Sequence, residues 1–137
     1  MQKQLGAWAE QQAAQLMQQQ DFQLIARNWH SRYGELDLVM QREQELVFVE
    51  VKARAKTAYA LAFESVSSAK QRKVLQTAVC FIQKNPQFAH YYYRFDVICF
   101  DFTEQIAKTV QQDFSNFTYD LQWIENAFTF DSEFINL

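Results

Sequence analysis

From Gly6 to about Gln20, Gln11, Gln15, Gln18 and Gln19 fall on one side of a helical wheel and Gly6, Ala13, Ala14 and Met17 on another. That three-and-four spacing predicts an amphipathic helix with the glutamines as its solvent face. Glu10 lies three to four residues from Gly6, Ala13 and Ala14, so the small, apolar face carries one acid in need of a partner. The period then shortens to two. FQLIARNW (22–29), GELDLVM (34–40) and LVFVEVK (46–52) read as three strands with short polar connections, hence two close hairpins. Helical spacing returns from about Ser67 to Lys84, with Val74, Leu75, Ala78, Val79 and Ile82 as the apolar stripe, Lys70, Arg72 and Lys73 in the first turns, and Pro86 as the stop. HYYYRFDVICFD (90–101) is a fourth strand, and the intervening helix predicts a right-handed crossover into the same sheet as the third. The segment near FTYDLQWIENAF is a further edge strand or a short helix, and the last residues are expected to be loose.

The second hairpin raises a chemical question, because strands tend to exclude Asp, Glu and Lys from faces that pack. If QREQE turns about the point between 43 and 44, paired positions sum to 87 and Asp37 stands opposite Glu50. Cross-strand neighbours have Cβ atoms about 4.5–5.5 Å apart, where like charges repel. A divalent cation between them reverses the sign of that interaction. Alternation places Lys52 on the face of Glu50, and Val47, Val49 and Val51 on the other with Leu36, Leu38 and Met40. One face is then aliphatic core, and the other displays two carboxylates and an amine. The competing reading is a surface ion-pair ladder, Asp37 to Lys52 or Glu50 to Arg54.

Composition narrows the chemistry. A chain of 137 residues, 49% hydrophobic, is long enough for one domain with a real core and too short for two, so residues 1–127 are read as the domain and 128–137 as a tail. No run approaches the eighteen or so apolar residues of a membrane helix, and MQKQLGAWAEQQ lacks the apolar core of a signal peptide, so a cytoplasmic protein without membrane partners is expected. Cys80 and Cys99 have no paired spacing and read as buried reduced thiols, and His30 and His90 are the only imidazoles. A metal must therefore be held mainly by oxygen, which points to Mg2+ or Mn2+. The net charge of -3 divides unevenly: residues 1–100 hold 12 basic and 9 acidic side chains, and residues 101–137 hold 1 and 7. The body is weakly basic, with its cations around 27–56 and 70–73, which is compatible with phosphate binding.

Phosphodiester hydrolysis needs this set of groups. Two carboxylates hold a hard cation against a phosphate oxygen and a water, and an ammonium such as Lys52 stabilises developing negative charge or orients the nucleophile. Glu10, on an adjacent helix, is a candidate third acid. Arg32, Arg54 and Lys56 flank the site as candidate phosphate contacts, with Lys70 and Lys73 joining them from the second helix. Arg94 and Asp96 share a strand face and are expected to pair internally, Trp8, Trp29 and Trp123 are expected in packing, and Tyr91 to Tyr93 are expected to straddle a strand.

The runs GAWAEQQAA, IARNW, RYGELDLV, LVFVEVKAR, RFDVI and WIENAF, in that order over residues 5–127, closely resemble the YraN-like uncharacterised protein family of bacteria. That family is placed in the restriction-endonuclease-like, PD-(D/E)xK nuclease superfamily and is similar to archaeal Holliday-junction resolvases. The resemblance implies an α/β fold, a mixed sheet flanked by helices with core order α-β-β-β-α-β. It also implies Asp37, Glu50 and the Val51 carbonyl as metal ligands, Lys52 as the catalytic lysine, Glu10 as the helix-borne glutamate, and Gln71 as a polar residue at the active centre. One departure is visible: YALAFESV (59–66) lacks the Phe-Gly turn usual in the family, so the loop bordering the site is expected to differ. The expected function is a magnesium-dependent DNA endonuclease, acting on branched or junction DNA, with a homodimer as the form that cuts two symmetric strands. The alternatives are a non-cleaving nucleic-acid- or protein-binding module on the same fold, and an adaptor whose acidic C-terminal segment engages a basic partner.

Overall fold

The computed structural model describes residues 2–54, 67–102 and 119–128. Helix α1 (Gln2–Gln18) is followed by β1 (Gln23–Ser31), β2 (Gly34–Arg42) and β3 (Glu45–Arg54), then helix α2 (Ser68–Lys84), a 3-10 turn (Pro86–Phe88), β4 (Tyr92–Phe102) and β5 (Tyr119–Phe128). The five strands form one sheet in the order β1-β2-β3-β4-β5, antiparallel except for the parallel β3–β4 pair. The expected α-β-β-β-α-β order is therefore present, and the segment left open between strand and helix is the edge strand β5. Lys56, the 59–66 loop and residues 129–137 of the tail lie outside the described residues. Phe128, assigned to the tail, belongs to β5 and stacks on Phe95 at 5.0 Å between ring centroids.

Each sheet face has its own helix. On one side Ala9, Ala13, Ala14 and Met17 of α1 pack with Leu38, Met40, Val47, Val49, Ile98 and Phe100, and Gln11, Gln15, Gln18 and Gln19 remain exposed. On the other, Val74, Leu75, Ala78 and Phe81 of α2 cover Leu36, Val39, Leu46, Phe48 and Phe95. Two expectations change here. Leu36 belongs with α2 rather than with Leu38 and Met40, so strict alternation along β2 fails between residues 36 and 38. The face carrying Glu50 is also buried: Leu46 and Phe48 precede it under α2, so the charges emerge from a packed surface and not from a solvated one.

The tryptophans pack, as expected. Trp8 meets Phe100, Phe102 and Tyr119 with centroids 5.3–5.5 Å apart, Trp29 meets Phe81 edge-on at 5.2 Å, and Trp123 lies against Phe22. Tyr91 to Tyr93 divide between the faces: Tyr91 accepts a hydrogen bond from Gln41, Tyr93 donates to the Phe88 carbonyl, and Tyr92 is 78% exposed. Both cysteines are free thiols, Cys99 buried and Cys80 half-buried.

Asp96 is fully buried and fully engaged. Arg94 donates to both of its oxygens at 2.8 and 2.9 Å, the Trp123 indole N–H donates at 2.8 Å, and the Asn126 amide donates at 2.9 Å. Arg94 in turn reaches Glu45 at 3.3 Å and Glu125 at 3.6 Å. This is the internal pair expected from the sequence, and it fastens β4 to the edge strand β5. Among the described residues no helix is long and apolar enough to cross a membrane.

Candidate metal centre

The β2–β3 ladder runs from Arg42↔Glu45 to Leu38↔Val49, the register in which positions sum to 87. Beyond that pair the backbones stop exchanging hydrogen bonds, and the Asp37 side chain takes over: its Oδ2 accepts from the Val51 amide at 2.9 Å. An amide that β2 no longer satisfies is thus capped by a carboxylate, which fixes Asp37 beside the main chain of residue 51. β3 continues to pair with β4 through Glu50↔Val97 and Lys52↔Cys99, so the stretch bearing Glu50, Val51 and Lys52 is held on that side alone. The opening between β2 and β3 is where the chemistry gathers.

Glu50 is 1% exposed, and among the described residues neither of its oxygens accepts a hydrogen bond. Lys70 Nζ, from the first turn of α2, lies 3.4 Å from Oε1 as an ion-pair contact. Burial pushes the Glu50 carboxyl up to about 8, the nearby Asp37 charge adds to the rise, and Lys70 and Lys52 oppose it. Asp37 is raised as well, by burial first, against the lowering effects of the Val51 amide, Lys70 and Lys52. Two carboxyls and two ammonium groups therefore share one field, and the surface-ladder reading does not survive Glu50's burial.

Glu10 stands nearby on α1. Burial raises its carboxyl, Asp37 raises it further, and a hydrogen bond with the Asn28 side chain lowers it. The charges of Asp37, Arg27 and Glu35 act on it. Among the described residues no three side chains of His, Cys, Asp or Glu type are grouped to enclose an ion. Asp37 and Lys52 both act on Glu50 through their charges, and Lys52 acts on Asp37 as well, while Glu10 feels Asp37. Lys70, read from the sequence as an outer phosphate contact, belongs to the centre itself. The sequence reading missed Glu35, whose charge acts on both Asp37 and Glu10, and Asn28, the partner of Glu10. Glu35 had a signal in its place two residues before Asp37, and Asn28 in being an αL-tolerant residue within a strand.

The remaining candidates form the rim. Gln71 is half-buried in the first turn of α2, its amide bonded to the Ser67 carbonyl. Ser67 caps that helix by accepting from the Lys70 amide at 3.2 Å. Arg32 is exposed at the β1–β2 turn, donating to the Tyr33 hydroxyl at 2.6 Å, and Lys73 is exposed on α2. That turn is tied to α2 by Ser31 Oγ and Thr77 Oγ1, 3.0 Å apart, while Gly34 adopts a φ of 153° close to Lys73 and Thr77. Arg54 is half-buried at the end of β3.

A buried carboxylate whose oxygens accept no hydrogen bond is costly unless a cation satisfies it. Asp37, Glu50 and the Val51 carbonyl make an all-oxygen donor set suited to a hard divalent ion, so the residues fit Mg2+ or Mn2+. The raised carboxyls also fix a pH dependence. Each folded carboxyl binds its proton more tightly than the unfolded one, so its contribution is complete below the unfolded value, 4.5 for Glu50, and is lost as pH rises towards about 8. The protein in a chelator is accordingly expected to lose thermal stability across that interval, and Glu50→Gln to flatten the slope. Scanning calorimetry against pH checks this.

The chain matches the uncharacterised protein family UPF0102 over residues 9–100. It is 57% identical to a UPF0102 protein of Acinetobacter baumannii (strain AYE) over 129 residues, 94% of this chain and 97% of the relative. A UPF0102 protein of Acinetobacter baylyi is 55% identical over 125 residues, covering 91% and 89%. One from Pseudomonas putida (strain GB-1) is 37% identical over 123 residues, covering 90% and 91%.

Proposed function

The chain belongs to the uncharacterised protein family UPF0102, and from its site we propose that it is a divalent-cation-dependent endonuclease of the restriction-endonuclease-like superfamily, hydrolysing phosphodiester bonds in DNA, with branched or junction DNA as the preferred class. The observation that carries this reading is Glu50: an acid buried to 1%, without a hydrogen bond to either oxygen among the described residues, beside a second acid and two ammonium groups. Asp96 is the contrast within the same sheet, since an acid kept for structure has its oxygens filled.

In this mechanism Asp37, Glu50 and the Val51 carbonyl would hold the ion, with Glu10 a further acid from α1. Bound there, a divalent ion would supply Lewis acidity towards water and phosphate. Lys52, on the strand that carries Glu50, sets its ammonium beside the carboxylate pair, where it stabilises charge developing on the attacked phosphate or orients the nucleophile. The Asp37–Val51 bond keeps the two donors of β3 and β2 in one arrangement, so little reorganisation is needed on binding. Arg32, Arg54 and Lys73 are the phosphate contacts of this reading among the described residues, with Lys56 a further candidate from the sequence and Gln71 at the base of α2. The acidic C-terminal segment remains a candidate contact for a basic protein partner, and junction cleavage calls for a homodimer in the cytoplasm.

A second reading is a module that binds nucleic acid or protein without cutting it. The hydrogen bond between Glu10 and Asn28 favours this, because it engages the third acid within the protein. A cleavage screen over linear, nicked, flapped and four-way DNA, with Mg2+ or Mn2+ and with chelator, separates the two. The nuclease reading expects ion-dependent cuts, most on a branched substrate. Binding without cuts under every ion condition supports the module instead.

A further inference from the structure

Among the described residues, Lys70 is the cation in contact with Glu50. Its Nζ sits 3.4 Å from Oε1, and its charge acts on both Glu50 and Asp37. The side chain of Glu50 is 1% exposed and that of Lys70 is 36% exposed, so the acid is fixed in the core while the amine reaches in from the rim. Lys70 also stands in the first turn of α2, where the Ser67 hydroxyl holds its backbone amide. The backbone of Lys70 is thereby anchored, and its long side chain is free to take a second rotamer towards solvent.

A carboxylate buried this deeply has room for one close cation on a given oxygen. An ammonium at 3.4 Å from Oε1 occupies an approach to Glu50 that a divalent ion held by that carboxylate would need, and two cations there would repel strongly in a poorly hydrated site. Resting on the metal-dependent reading above, we propose that Lys70 is a resident counter-cation, exchanged for the divalent ion: the ion displaces the ammonium from Glu50, and the released side chain swings to the rim. There it joins Arg32 and Lys73, the exposed cations on either side of the Ser31–Thr77 tie. The exchange gives the site a regulatory property, since arrival of the ion also delivers one more positive charge to the surface that faces phosphate. Lys70 is in this account a positioning residue, acting through Glu50 before binding and on the phosphate backbone after it.

The exchange is read directly from amine reactivity. The full chain is labelled with a lysine-acylating reagent in chelator and in saturating Mg2+, and modification at Lys70 is followed by mass spectrometry with the exposed Lys84 as reference. Calorimetry establishes ion binding in the same preparation. The expected result is labelling at Lys70 about fivefold faster with the ion than without it. Glu50→Gln, which removes the charge that retains the amine, is expected to give the fast rate in both conditions. Lys70→Met is expected to bind Mg2+ about tenfold more tightly than the unaltered chain. Labelling that is unchanged or slowed when calorimetry shows the ion bound overturns the exchange and leaves the proposed metal centre standing. No ion binding by the unaltered chain overturns both.

Discussion

Lys52→Ala is expected to lower DNA cleavage by roughly 10²–10³-fold, the loss typical of removing one group that stabilises transition-state charge. The reasoning starts from position. Lys52 is half-buried on β3, paired opposite Cys99, and its charge reaches both Asp37 and Glu50 without a carboxylate of its own in the strand ladder. Its removal deletes no core packing, so the fold is retained. The ion is held by oxygens that the substitution does not touch, so its affinity changes little. The expected signature is therefore a fall in kcat with Mg2+ binding and melting temperature close to those of the unaltered chain, measured by single-turnover cleavage beside calorimetry. A variant that loses cleavage and folding together would assign Lys52 a structural role instead.

The second large effect concerns two buried acids of opposite meaning. Asp96→Ala is expected to destabilise the fold by about 3–5 kcal/mol, because it leaves Arg94 under-compensated and strips partners from the Trp123 and Asn126 N–H groups. Glu50→Leu is expected to stabilise the chelator-treated protein by about 1–3 kcal/mol, since a buried carboxyl held by one ion-pair contact is exchanged for an apolar side chain of similar size and Lys70, partly exposed, can turn to solvent. Both follow from urea denaturation at neutral pH. The same Glu50 substitution should remove any stabilisation by Mg2+. A residue that costs stability in the fold and returns it only with an ion is under a functional constraint, and that trade is the thermodynamic signature of the site.

Much of this was legible in local pattern. The helical spacing of the glutamines gave α1 its solvent face, and the hairpin register predicted from QREQE holds from Arg42↔Glu45 to Leu38↔Val49, ending one pair short of residues 37 and 50. What escaped was non-local. Period-two alternation says which side chains share a face and not what covers it, so the burial of Glu50 under α2 and its contact with Lys70, twenty positions on, had no local mark. Leu36 was misplaced because the side-chain faces of β2 change between residues 36 and 38, a break in alternation without a local sequence mark. The Arg94–Asp96 pair was readable two residues apart, while its bonds to Trp123 and Asn126 depended on β5 docking against β4. The site draws on α1, β2, β3 and α2, and local pattern gave the placing of its β2–β3 part, while the position of Lys70 against Glu50 depended on how α2 docks.

Calorimetric titration of the chelator-treated chain with Mn2+, at a pH where Glu50 is ionised, tests the metal centre most directly. The account predicts saturable binding that weakens at least about tenfold in Glu50→Gln and in Asp37→Asn, with both variants folded. Equal heats from all three proteins, or none from the unaltered chain, would contradict it.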